Sequence, residues 1–187
     1  MRQIKIAKRY AKALFSLAVE QNTLEPIAKD MQLIGDTVRE SEDLIAMLKS
    51  PIVKKRQKIN VLQKIFEGKT GDLTMRFLTM VVQKGREEII GEITHQFSLF
   101  YNQYHNIVEA EVVMSFEDEN IVQDLKNILE QYTQANIKIT SKVDPSLIGG
   151  FVLKFGDKQY DTSLRTKLHK LRTKLSENLY IKKIPIE

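Results

Sequence analysis

Near residue 107 the spacing of apolar side chains changes from one in three or four to one in two, and that change fixes most of what the chain can become. A repeat of 3.6 buries one stripe of a helix, whereas a repeat of two buries one face of a strand, so the two halves require different elements. From residue 4 to about 106 every segment reads as helix. After it the stretch IVEAEVVMSF alternates, with Val108, Ala110, Val112 and Met114 on one side and Glu109, Glu111 and Val113 on the other.

The helical half divides at its punctuation. IAKRYAKALFSLAVEQN sets Ala7, Tyr10, Ala11, Leu14 and Ala18 on one stripe. A second helix starts after Asn22, with Thr23 placed to cap it, Pro26 tolerated in the first turn, and Ile27, Met31, Ile34 and Val38 inward. Ser41 opens a short third helix. Pro51 interrupts, and Lys54 to Phe66 turns Ile59, Leu62, Ile65 and Phe66 to the buried side. DLTMRFLTMVVQK is a fifth helix that Gly85 ends, and REEIIGEITHQFSLFYNQYHN is a sixth. Beyond the first strand, EDENIVQDLKNILEQYT is a helix with Ile121, Leu125, Ile128 and Leu129 inward. NIKITSKVD, GFVLKFG and KQYD are strands, and a last helix covers about Thr162 to Asn178. The expected fold is an all-α N-terminal six-helix bundle over residues 1–105, followed by a small α+β C-terminal domain over 106–187.

Gly149 and Gly150 raise the question of a phosphate-binding loop. Such a loop puts its glycines after a strand and directly before a helix, followed by Lys-Ser/Thr. Here the pair precedes a strand and no such Lys follows; the spacing to Gly156 does not fit a dinucleotide fingerprint either. DPSLIGG instead reads as a turn in which glycine supplies a positive φ, and Gly156–Asp157 as a hairpin reversal. Asp161 stands just ahead of the last helix, where its carboxylate can accept backbone N–H bonds.

No other constellation suggests chemistry. With no cysteine, thiolate catalysis and Cys-ligated zinc are excluded. His95 and His105 are ten apart on one helix, His169 lies in a basic helix, and none has a carboxylate cluster beside it, so no metal site is expected. No serine-nucleophile signature occurs. The expectation is a protein that is not an enzyme and takes no cofactor. The N-terminus has charges scattered through it and no apolar core of a signal peptide, and no stretch approaches the length of a membrane span, which points to a reducing, cytoplasmic compartment.

Charge is uneven. Residues 1–140 carry 19 Lys and Arg against 19 Asp and Glu, while residues 141–187 carry 10 against 5, so the whole excess of +5 lies in the last quarter. That segment favours an acidic partner surface, nucleic acid being one such, although a solvated basic helix face is the commoner reading of such a charge excess. A basic nucleic-acid-binding protein with a helical dimerisation domain is the alternative reading. It leaves unexplained an apolar excess on two helices. The first helix carries Ile6, Ala13, Leu17, Phe15 and Val19 around the rest of its circumference; the fifth carries Leu73, Phe77, Met80 and Val81 on one stripe and Met75, Leu78 and Val82 off it. Either both helices lie at the bundle centre, or a shallow groove between them receives an amphipathic helix from a partner.

Two motifs give these features a family. The A-x-x-Y-A-x-A-L-F pattern at Ala7 to Phe15, and VDPSLIGGFVLKFGDKQYDTSLRTKLHKL near the C-terminus, resemble the delta subunit of F-type ATP synthases, the family of the mitochondrial oligomycin-sensitivity-conferring protein. The resemblance covers essentially the whole chain; Tyr160, Thr162 and the tail IKKIPIE are its less typical features. It implies a non-catalytic stator subunit in the peripheral stalk of a proton-translocating complex, on the cytoplasmic side of a bacterial inner membrane. It implies an N-terminal domain that binds the N-terminal helix of an alpha subunit, a C-terminal domain that holds the b subunits, and no nucleic-acid partner. Carried over by position, the alpha-helix groove involves Ala7, Tyr10, Ala11, Leu14 and Leu17 with Phe77, Met80 and Val81. Gly149, Gly150, Gly156 and Asp161 are signature residues with an architectural role.

Overall fold

The computed structural model describes residues 2–177, which form two compact units dividing between His105 and Asn106. The first is helical: α1 (Arg2–Glu20), α2 (Leu24–Glu40), α3 (Glu42–Lys49), α4 (Lys55–Phe66), α5 (Asp72–Gln83), a 3-10 turn (Glu87–Ile89) and α6 (Ile90–Tyr104). Its inner positions follow helical spacing. Ala7, Ala11, Leu14 and Ala18 are buried along α1, and the small alanines let α1 lie close to α6, its main neighbour. α6 also packs on α2, where a Cβ on Gly35 would come within 2.9 Å of Thr94 Oγ1, so that crossing depends on glycine.

Ser41 serves two helices. Its N–H donates to Thr37 O as α2 ends, and its Oγ accepts from Leu44 N at 3.2 Å as α3 begins. Gly85, at φ +65, ends α5. Three sequence expectations are corrected here. Thr23 makes no cap bond, and its buried hydroxyl has no partner among the described residues. The segment expected to begin a helix at Arg86 first forms the 3-10 turn, which sets Glu87 against Lys58. On α5, Leu78 and Val82 are core while Leu73 and Met80 flank it, because the helix is rotated to bury Thr74 against Asp30 of α2.

The second unit contains β1 (Ile107–Met114), α7 (Glu119–Thr133), β2 (Asn136–Val143), a 3-10 turn (Pro145–Leu147), β3 (Phe151–Phe155), β4 (Lys158–Asp161) and α8 (Leu164–Glu177). The sheet order is β2-β1-β3-β4; β1 and β2 are parallel through the α7 crossover, and the other pairings are antiparallel. Asp118 caps α7 by accepting from Asn120 N at 2.9 Å, and Gln134, at φ +52, ends it. Ala110, Val112, Met114, Ile137, Leu153 and Phe155 form the apolar sheet face with Leu125 and Leu129 of α7 packed on it. Ile128, expected to face inward, is 60% exposed: α7 lies over the β2 side and leaves the β3–β4 side open. The last helix begins two residues later than expected, and the expected end at Asn178 lies outside the described residues.

Candidate partner-binding surfaces

α1 and α5 approach each other through side chains, since the close neighbour of α1 is α6 and that of α5 is α4. Tyr10 and Phe77 meet edge to face across the gap with ring centroids 6.5 Å apart. Of the eight residues carried over to a groove, Ala7, Ala11, Leu14, Phe77 and Val81 are buried in the core, at 0%, 0%, 2%, 8% and 0% exposure. Tyr10, Leu17 and Met80 are half-buried, and Ile6 and Leu73 join them on the same flanks. Only this outer set of the carried-over residues reaches the surface, among the described residues; the other five belong to the core of the helical unit.

The glycine corner is mechanical. Gly150 sits at φ +77, and a Cβ there would lie 2.6 Å from the carbonyl oxygen of Thr162; one on Gly149 would meet Leu164 Cδ1 at 2.8 Å. Leu164 N donates to Gly149 O at 2.9 Å, and Thr162 N to Phe151 O at 2.9 Å, so the glycines let the start of α8 lie against the turn before β3. Gly156, at φ +57, turns β3 into β4. Asp161 organises the entry to α8 by accepting from Ser163 N at 2.9 Å and Thr166 Oγ1 at 2.8 Å. Hydrogen bonds from Ser163 and then Thr166 hold its carboxyl below the usual carboxylate range. The N–H bond at the helix's own first turn goes to Ser163, whose Oγ accepts from Thr166 N. Ile148 adopts φ +66, unusual for a β-branched residue, with its side chain 65% exposed.

Two apolar surfaces of the second unit lay outside the sequence reading. One is an open groove of about 280 Å³ between α7 and the β3–β4 hairpin, lined by Leu125, Ile128, Leu129, Tyr132, Phe155 and Tyr160. The other is α8, on which four leucines are all more than two-fifths exposed. The signal for both was present, as Ile128 on the outer edge of its stripe and as regularly spaced leucines in the basic tail. Among the described residues no cluster of His, Cys, Asp and Glu could hold a metal, and no helix is long and apolar enough to cross a membrane.

The chain is thus a helical unit followed by a small α+β unit, each with apolar side chains left on its surface. Comparison with known proteins gives its family. The chain matches the family described as ATP synthase delta (OSCP) subunit over residues 6–175. It is 36% identical to ATP synthase subunit delta of Chlorobium phaeovibrioides over 94% of this chain and 97% of the relative. It is 34% identical to the same subunit of Christiangramia forsetii over 98% and 100%. A chain in the cryo-EM structure of the Toxoplasma gondii mitochondrial ATP synthase hexamer shares the fold, with TM-score 0.69, 23% identity, and coverage of 96% of this chain and 98% of that one. The chain belongs to the ATP synthase delta (OSCP) subunit family, which is structural, not catalytic.

Proposed function

We propose that this chain is a stator subunit of a proton-translocating F-type ATP synthase, working in the peripheral stalk on the cytoplasmic side of the membrane. The observation that carries the reading is a family match running from α1 into α8, so that both units and not one shared module are covered. The helical unit, read as a six-helix bundle, takes the N-terminal helix of an alpha subunit along Tyr10, Leu17 and Met80. The α+β unit holds the end of the b subunits. A stalk of this kind resists torque: the rotor turns under proton flow, and the head stays fixed so that rotation is converted into ATP synthesis. Such a role needs surfaces that grip and units that do not deform, and needs no catalytic group in this chain.

The test is calorimetric titration of the full chain with a synthetic peptide of the alpha subunit's N-terminal helix, at low and high salt. Stoichiometric binding that changes little with salt supports an apolar groove. Absence of binding, together with DNA association that falls steeply with salt, would replace this reading with the nucleic-acid one.

A further inference from the structure

The groove between α7 and the β3–β4 hairpin is narrow and has one charged end. Along α7 it runs from Leu125 to Tyr132 and along β3 from Phe151 to Phe155, which makes it about 10–13 Å long. A volume of about 280 Å³ spread over that length leaves a trough about 5 Å across, the spacing of neighbouring strands. An α-helix with its side chains is about 10–12 Å in diameter and does not fit. An extended chain does.

The floor decides what kind of chain. Leu125, Ile128, Leu129, Leu153 and Phe155 offer no hydrogen-bonding side chain. Thr162 also lines the trough, but its hydroxyl already donates to Phe151 O at 2.9 Å and accepts from Phe151 N at 3.2 Å. An extended peptide laid on this floor would bury N–H and C=O groups without partners, which is costly. An alkyl or aryl chain carries no such groups and gains from the burial.

The charged end decides the head group. Lys158 lies opposite Phe155 across the β3–β4 pair, so its side chain leaves the sheet on the face of the groove. Its ammonium donates to Tyr132 Oη at 3.0 Å and stands 5.1 Å from the centre of that ring. Tyr132 is set edge-on to Phe155, which stacks on Tyr160, with ring centroids 6.3 Å and 5.9 Å apart. Among the described residues no carboxylate is within ion-pair distance of Lys158, and Asp157 in the hairpin turn acts on it at longer range. Because Tyr132 Oη accepts the bond, its own proton is left to donate. The same bond holds the hydroxyl below its ordinary 10.0 and the ammonium above its ordinary 10.5. Two donors, one of them cationic, converge where the apolar trough ends, and a carboxylate takes such a pair.

We propose that this groove binds an amphipathic monocarboxylate, its alkyl or aryl chain lying in the trough and its carboxylate on Lys158 and Tyr132. A strand advances about 3.3 Å over three backbone bonds, so the trough takes an extended chain of about nine to twelve bonds. The site goes beyond the stalk reading and does not depend on it, since it uses neither the α1–α5 gap nor α8.

The experiment is calorimetric titration of the full chain near neutral pH with three probes of equal chain length: decanoate, decan-1-ol and decylamine. Decanoate is expected to saturate one site per chain and to bind about tenfold or more tightly than the alcohol, with the amine weakest. Lys158→Gln and Tyr132→Phe should each bring decanoate toward the alcohol while leaving the alcohol's affinity unchanged. Ile128→Asp should abolish binding of both without altering the circular dichroism spectrum, because that side chain is 60% exposed. Leu171→Asp, on the exposed leucines of α8, should change nothing. Equal affinity for the three probes, or decanoate binding that survives Lys158→Gln and Tyr132→Phe together, would overturn the carboxylate site. Loss of binding with Leu171→Asp and not with Ile128→Asp would overturn the location. If decanoate shows no saturable binding while a leucine-heptad helical peptide binds and is lost with Ile128→Asp, the groove belongs to a protein segment and the proposal is wrong.

Discussion

Lys58 and Glu87, 29 residues apart, form an ion pair of 2.7 Å with 3% and 12% of their side-chain surfaces exposed. The lysine ammonium also donates to Leu48 O at 2.6 Å, so one side chain ties together α3, α4 and the turn before α6. Removing the cation leaves a carboxylate nearly out of water and a carbonyl without its donor. Lys58→Met is therefore expected to destabilise the helical unit by about 3–5 kcal/mol, measured from urea midpoints. The double variant Lys58→Met, Glu87→Leu should recover most of that loss, because no lone charge remains buried. A double variant as unstable as the single one would show that the carbonyl contact, not the ion pair, matters.

The same pair sets an acid response. Burial pushes the Glu87 carboxyl up, but the Lys58 hydrogen bond, a bond within its own backbone and the charges of Lys58 and Lys55 outweigh it, leaving the group below its ordinary 4.5. A carboxyl lowered in the folded state contributes stability that is present above its unfolded value and lost as pH falls through the folded one. The Glu87 contribution should thus be complete at pH 6 and decline below about 4.5. Urea denaturation at successive pH values should show a shallower acid slope for Glu87→Gln than for the unaltered chain. Identical slopes would rule out this carboxyl as a source of acid sensitivity.

Asp30 of α2 is 9% exposed, and its Oδ2 accepts from Gly71 N at 2.9 Å and from Thr74 Oγ1 at 2.6 Å, at the start of α5. It is an N-cap supplied from another helix. Asp30→Ala leaves a buried hydroxyl and an N–H unsatisfied and should cost about 1–3 kcal/mol. Hydrogen exchange should show the loss concentrated in the first turn of α5. Unchanged protection there would mean that water replaces the carboxylate.

Two glycines separate strain from crowding. Gly150→Ala meets both a left-handed backbone and the Thr162 carbonyl at 2.6 Å; Gly156→Ala meets only the backbone, with open space around it. Gly156→Ala should cost about 1–2 kcal/mol, the left-handed penalty alone, and Gly150→Ala clearly more. Thermal melts of the two variants give the order directly, and equal losses would show that the Gly150 corner relaxes freely.

Local rules made the elements legible, and long-range partners account for what was not. Ser41, Pro51 and Gly85 each act within a few residues, so they marked α3, the break before α4 and the end of α5. The capping of α5 by Asp30 joins positions 41 and 44 residues apart, and the Lys58–Glu87 bond spans 29; periodicity carries no trace of either. Ile128 keeps helical register with Leu125 and Leu129, and only the placement of α7 over the β2 side decides that it stays outside. The eight groove positions lie on stripes, and a stripe does not say which of its edges faces the core.

That ambiguity separates variants that unfold the helical unit from variants that only alter its surface. Leu14 and Phe77 are 2% and 8% exposed, so an aspartate at either should unfold the helical unit, and loss of partner binding there would report only on stability. Leu17 and Met80 are half-buried on the flanks of the α1–α5 gap, beside the Tyr10–Phe77 ring pair. Leu17→Asp and Met80→Asp should keep the melting cooperative and lower affinity for the alpha subunit's N-terminal helix by about tenfold or more, as expected for residues near the middle of a helix-in-groove contact. Tyr10→Ala should lower it as well, because the ring both supports Phe77 and offers its outer edge. If the flank variants melt normally and bind with unaltered affinity, the partner helix does not lie between α1 and α5, and the apolar excess of those helices belongs wholly to the core.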